Sequence, residues 1–170
     1  IFKNHMVVTE RKGGLIQLRV MAWESDQEHY IHFNDPAYNA YTFSNPEFDT
    51  DVLRYGYTSM RTPQSTFDYN MTDRTQELKK QQAVLGGEFS EDNYDTERIM
   101  STSRDGVEVP MSIVYRKGTK LDGNAPLLLY AYGSYGYSMD ASFSSIRLSL
   151  LDRGFIMVIA HIRGGQYLGR

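Results

Sequence analysis

The 170-residue sequence contains no cysteine, which excludes disulfides, thiolate metal sites and a cysteine nucleophile and fits a cytoplasmic protein. It also lacks any run approaching the roughly 20 consecutive apolar residues that span a bilayer, so no membrane segment is expected. The opening residues carry no signal-peptide pattern. Neither charge sign dominates: 18 basic and 21 acidic residues give a net charge of -3, which argues against a nucleic-acid footprint or a polybasic membrane patch. Charged clusters such as Glu77, Lys79 and Lys80 read as solvated faces. The chain starts at Ile1 rather than Met and stops at Arg170, and is expected to be cut at both ends.

What is present favours strands. Hydrophobic residues make up 41% of the chain, enough for a packed core, and 13 tyrosines and 8 phenylalanines suit β structure. Alternation predicts a strand over about Gly14–Trp23, with Ile16, Leu18, Val20 and Ala22 on one face. Further extended pieces are expected at His29–Phe33, around Tyr41–Phe43, and at Val52–Met60, Ser65–Met71 and Gln76–Leu85, separated by polar turns. Short strands at this spacing suit a sandwich, a barrel or a propeller, with room for about one and a half blades of the last. Tyr41 and Tyr55 fit packing within such a sheet better than a base-stacking platform.

The pattern changes near Gly86-Gly87. Glu88–Asp95 is acidic and reads as a linker or exposed loop. Val107–Tyr115 alternates, with Val107, Val109, Met111, Ile113 and Tyr115 in register. Ala125–Tyr132 is nearly continuous in apolar residues, as for a strand buried on both faces. Ser144–Arg153 reads as a helix with Ile146, Leu150 and Leu151 on one face, a serine N-cap and Gly154 at C′. Phe155–Ile162 is then a second buried strand. Strand, helix, strand in this order marks an α/β sheet.

Few residues in the chain suggest catalysis. Gly133-Ser134-Tyr135-Gly136 has the wrong spacing for a Gly-x-Ser-x-Gly nucleophile elbow, so Ser134 reads as part of a glycine-bounded loop. The four histidines, His5, His29, His32 and His161, form no zinc motif, and no metal or cofactor is expected. Each reads as a hydrogen-bonded structural residue, although His161 lies near a strand end, where active-site groups gather. Arg163-Gly164-Gly165-Gln166-Tyr167-Leu168-Gly169 lacks both the dinucleotide and the Walker spacing; its glycines fit a close backbone approach.

Ordered motifs then point to a family. Leu127-Leu128-Leu129-Tyr130-Ala131-Tyr132-Gly133-Ser134-Tyr135-Gly136 resembles the opening of the peptidase domain in the prolyl oligopeptidase family. Val158-Ile159-Ala160-His161-Ile162-Arg163-Gly164-Gly165 is similar to the family's next recognisable strand. Ser103–Met111 resembles its propeller-to-hydrolase crossover, and Tyr57-Thr58-Ser59-Met60 with Thr62-Pro63 the end of its propeller. Tyr-Gly-Ser-Tyr-Gly and Ala-His-Ile-Arg-Gly-Gly are most similar to the oligopeptidase B branch; proline-specific members usually have Asn where His161 stands.

The resemblance implies a mixed fold: residues 1–90 as the end of a β-propeller, and residues 91–170 as the first part of an α/β-hydrolase domain. It implies a cytoplasmic serine endopeptidase that cleaves short peptides after Lys or Arg through an acyl-enzyme. Tyr132 matches the tyrosine that donates to the oxyanion, and Tyr135 the position that meets the substrate's P1 side chain. The family's Ser, Asp and His would fall beyond Arg170, so the 170 residues are expected to be inactive alone. Expected partners are an oligopeptide substrate and the remaining part of the same chain, with no nucleic acid and no membrane. Two alternatives stay open: a proline-specific relative, and a non-catalytic β-rich interaction module with a degenerate hydrolase tail.

Overall fold

The computed structural model describes residues 1–169 and arranges their strands in three sheets; Arg170, the last residue of the expected second segment, lies outside the described residues. The first sheet is an antiparallel meander of β1 (His5–Lys12), β2 (Leu15–Ala22) and β3 (Glu28–Tyr30). β1 was not expected from alternation. Its sequence signal is the pair Gly13-Gly14, both at positive φ (58° and 88°), which closes a two-residue hairpin pairing Lys12 with Leu15.

The second sheet is a four-stranded meander in chain order: β4 (Tyr38–Thr42), β5 (Val52–Ser59), β6 (Ser65–Asn70) and β7 (Gln76–Gln81), the form of a propeller blade. Both meanders share one core. Leu18, Val20 and Ile31 from the first side meet Tyr38, Leu53, Tyr55, Tyr57, Tyr69 and Met71 from the second. Phe33 ties them together, stacking on Tyr57 at 5.2 Å and meeting Tyr38 at 4.7 Å. Tyr38, Tyr55, Tyr57 and Tyr69 are therefore spent on interior packing. β7 is exposed along its whole length, and its polar sequence suits an outer edge.

The third sheet mixes directions. A 3-10 turn at Glu91–Asn93 leads into β8 (Tyr94–Thr102), which forms an antiparallel hairpin with β9 (Glu108–Arg116). β10 (Leu127–Ala131) is followed by α1 (Ser145–Leu151) and then β11 (Ile156–Ala160). β11 lies parallel to β10 and antiparallel to β9, giving the order β10-β11-β9-β8. A second core gathers Val114, Leu151, Met157 and Ile159 with Ala37 and Met60 from the blade side, so the mixed sheet packs against the first region.

Four expectations need correction. The segment 88–95 is not simply a linker: Phe89 packs on the second core, Tyr94 is buried, and Tyr94-Asp95 already belong to β8. In β9 the fully buried face is Pro110, Ser112 and Val114, while Val109, Met111 and Ile113 are only half-buried; a strand covered on both sides hides its polar-looking face as well. Ile146 is 84% exposed, and Leu151 is the residue that α1 buries. Most strongly, β10 is exposed throughout, Leu127 and Leu129 each at 55%. It forms one edge of the sheet, and the described residues leave side chains of both its faces open. The helix end fits expectation: Gly154 takes φ 85°, and Arg153 Nε donates to the Ser149 carbonyl at 2.8 Å.

Candidate functional site

Parallel pairing of β10 with β11 brings their carboxyl ends to one edge, from Leu127 opposite Ile156 to Ala131 opposite Ala160. Tyr132 is the first residue past β10 and His161 the first past β11. The loop after each strand must then turn away within a few residues, and glycines make this possible. A Cβ on Gly164 would lie 2.1 Å from the Gly133 carbonyl oxygen, and one on Gly165 would lie 2.9 Å from the Tyr137 carbonyl oxygen. The Gly136 N–H donates to the Gly164 carbonyl at 3.0 Å, and the Ser138 hydroxyl donates to the Gly165 carbonyl. The close approach expected of Gly164-Gly165 is this clamp on the loop that follows Tyr132.

The clamped loop presents an open aromatic concavity lined by Tyr130, Tyr132, Tyr135, Tyr137 and Met139. Tyr132 is 38% exposed and meets the Tyr137 ring edge to face at 6.1 Å. Tyr135 is 99% exposed and holds a left-handed backbone, φ 57°, which is uncommon for a large side chain. Ser134 accepts the Tyr137 N–H at its carbonyl, closing a turn, and its hydroxyl has no base within hydrogen-bond reach among the described residues. A phenol at such an edge can donate one hydrogen bond to an anionic oxygen. With no base beside it, a neutral phenol does not take the place of an activated serine nucleophile.

His161 belongs to the interior. Its Nε2 lies 2.8 Å from the Ser112 hydroxyl, and its ring stacks on Tyr167 with centroids 3.7 Å apart. The His–Ser pair has the spacing of a base and a nucleophile, but Ser112 is fully buried and no substrate can reach it. Burial, outweighing the raising effect of Asp140, pushes the imidazole pKa down to about 4. The remaining histidines are dispersed: His29 Nε2 pairs with the Tyr69 hydroxyl at 2.8 Å, His5 faces Asp51 at 3.4 Å, and His32 is exposed. Among the described residues no group of three metal-ligating side chains forms, and no helix is long and apolar enough to cross a membrane.

Pattern analysis missed the partners that join the regions. Asp35, 6% exposed, accepts from Tyr57 at 2.6 Å and from Arg61 at 2.7 Å, and lies near Thr96 of β8. Burial would raise its pKa, yet the donors Tyr57, Arg61 and Ser59 outweigh it and hold the carboxyl below its ordinary value. Arg11 and Asp140 likewise pair across the two regions. The only sequence signal for either pair is a charged residue beside a turn.

Comparison with known proteins agrees with this architecture. The family model for the prolyl oligopeptidase N-terminal β-propeller domain matches residues 1–82. Over its full length the chain is 46% identical to a dipeptidyl aminopeptidase BI from Pseudoxanthomonas mexicana, covering 23% of that protein. It superposes on oligopeptidase B from Leishmania major with a TM-score of 0.87 and 34% identity, covering 99% of this chain and 25% of the other. For oligopeptidase B from Trypanosoma brucei, with covalently bound antipain in its closed form, the TM-score is 0.88 at 33% identity, over 99% of this chain and 25% of that one. The chain thus spans about a quarter of the length of the relatives it matches. On these matches the chain belongs to the prolyl oligopeptidase family of serine peptidases.

Proposed function

We propose that the chain is part of an oligopeptidase B-type serine endopeptidase that cleaves short peptides after Lys or Arg through an acyl-enzyme. Residues 1–90 form the end of its β-propeller, and residues 91–170 the first part of its α/β-hydrolase domain. The observation that carries this reading is Tyr132, exposed immediately after β10 at the carboxyl edge shared with β11. Open α/β sheets bind their ligands at that edge. There the Tyr132 hydroxyl donates a hydrogen bond to the oxygen that becomes negative as the scissile carbonyl turns tetrahedral, a contribution of about 3 kcal/mol. Tyr135, on the same loop, meets the P1 side chain.

The nucleophilic Ser, its Asp and its His lie beyond Arg170, and residues 1–170 alone do not hydrolyse peptides. The lack of any Gly-x-Ser-x-Gly segment in the sequence supports this. So does the bare edge of β10, which suits pairing with a further strand of the same chain. The enzyme uses no metal or cofactor, takes oligopeptides as substrate, and works in the cytoplasm, in keeping with the absence of cysteine.

The identity to a dipeptidyl aminopeptidase favours a second reading, in which dipeptides are removed from a free N-terminus. Three substrate sets given to the full-length protein separate these: N-blocked peptides ending in Arg at P1, N-blocked peptides ending in Pro, and unblocked dipeptide substrates. Highest kcat/KM on the first set supports the oligopeptidase B reading. A preference for blocked Pro peptides, or for unblocked dipeptides, overturns it. Tyr132→Phe in the same protein lowers kcat about a hundredfold; wild-type turnover would refute the oxyanion role.

A further inference from the structure

The β1–β2 hairpin reaches across from the first sheet to the loop that carries Tyr132. The Arg11 guanidinium donates to both carboxylate oxygens of Asp140, at 2.7 and 3.1 Å, and to the carbonyl of Gly14 at the hairpin tip, at 2.8 Å. Fork-on-carboxylate geometry of this kind fixes orientation as well as distance. The pair is shielded, with side-chain exposures of 24% and 22%, so it is screened less than a surface ion pair.

The hairpin tip is also seated by shape. A Cβ on Gly14 would lie 2.3 Å from a Tyr167 ring carbon, so only glycine lets the tip close on that ring. Tyr167 lies flat on His161, and the guanidinium groups of Arg11 and Arg98 stand 5.4 and 5.9 Å from its centroid. Arg98, from β8, donates to the Gly13 carbonyl. One hairpin therefore grips both edge loops: Asp140 lies within the loop between Tyr132 and α1, and Tyr167 follows the Gly164-Gly165 clamp.

We propose that Arg11 is a positioning residue for catalysis, tying the loop of residues 133–140 to the first sheet through Asp140 and so setting where the Tyr132 hydroxyl and the Tyr135 ring stand. The proposal rests on the assignment of Tyr132 above. Between the Gly164 clamp and Asp140, the loop contains Gly133 and Gly136 and carries Tyr135 wholly outward, with Tyr137 exposed beside Tyr132. Removing the Asp140 anchor leaves the loop to the Gly164 clamp, the Ser138 bond to the Gly165 carbonyl and the buried Ala141, and a displacement of about 1 Å at a reacting contact can cost up to a hundredfold in rate.

The test uses the full-length protein with Arg11→Met, Arg11→Lys and the charge-swapped pair Arg11→Asp/Asp140→Arg. Two quantities are measured: amide hydrogen exchange of residues 133–140, and kcat and KM on a peptide substrate. Arg11→Met is expected to speed exchange in that loop about tenfold and to lower kcat about tenfold with KM little changed. Arg11→Lys falls between, since an ammonium cannot reproduce the fork, and the swapped pair recovers much of both losses. Unchanged loop exchange or unchanged kcat in Arg11→Met, or a swapped pair no better than an Asp140→Arg variant measured beside it, overturns the proposal. Tyr132→Phe, run alongside, separates the two claims. Wild-type turnover in Tyr132→Phe with a loosened loop in Arg11→Met removes the oxyanion role and leaves the clasp standing as a loop anchor.

Discussion

Replacing Gly164 by alanine tests the clamp at its tightest point. Gly164 has φ 89°, and an added Cβ would lie 2.1 Å from the Gly133 carbonyl oxygen. The left-handed backbone alone costs an alanine about 1–2 kcal/mol. The clash adds about 1–3 kcal/mol, the usual range for forcing atoms into a packed site, because the neighbour is backbone and cannot swing aside. The two β-loops must separate, and the first bond to suffer is that from the Gly136 N–H to the Gly164 carbonyl. Exchange of the Gly136 amide is the direct assay, since each 1.4 kcal/mol lost from local opening speeds it about tenfold; an increase between about thirtyfold and about four-thousandfold is expected. Gly154→Ala is the control. It carries nearly the same positive φ, 85°, but an added Cβ meets nothing within 4 Å, so it should cost only the backbone share and leave Gly136 unaffected. Equal Gly136 exchange in the two variants would refute the reasoning.

Two further outcomes follow from buried groups. With its pKa held near 4, His161 stays neutral in the folded protein while an unfolded histidine takes a proton near pH 6.5. Stability from the neutral ring is thus complete above about pH 6.5 and is lost as pH falls toward 4, by about 3 kcal/mol in total. A side-chain NMR titration showing an imidazole midpoint near 6.5 for His161 would contradict this, and His161→Asn should remove the acid-sensitive limb. Around Asp35, Asp35→Ala leaves Arg61 partly buried without its partner and is expected to cost about 3 kcal/mol. Arg61→Met added to it should restore part of the thermal midpoint; strictly additive losses would show that the pair does not act as a unit.

How far the sequence carried the structure depended on the distance over which each signal acts. β2, β5, β6 and β11 were legible because alternation or an apolar run reports local burial. β10 was legible as a strand, but its exposure was not, because hydrophobicity states that Leu127–Tyr130 require cover and not whether these 170 residues provide it. β8 was hidden by polar residues such as Asp95, Glu97 and Arg98, and it exists through pairing with β9 along its whole length. In β9 the pattern marked the half-buried face, since Ser112 is polar yet wholly enclosed and hydrogen-bonded to His161. Tyr132 and Tyr135 are candidates through motif resemblance alone, whereas the Gly164-Gly165 approach was legible from elementary sterics. Arg11 with Asp140, 129 residues apart, leaves no periodic trace in either segment.

The most direct measurement is intact mass before and after a fluorophosphonate serine-hydrolase probe, on the 170-residue chain and on the full-length protein. One adduct on the full-length protein and none on the 19.5 kDa chain is expected under the proposed placement of the nucleophile outside these residues. An adduct on the 19.5 kDa chain would contradict that division of the site, and a full-length protein that gains no probe would contradict its assignment as a serine peptidase.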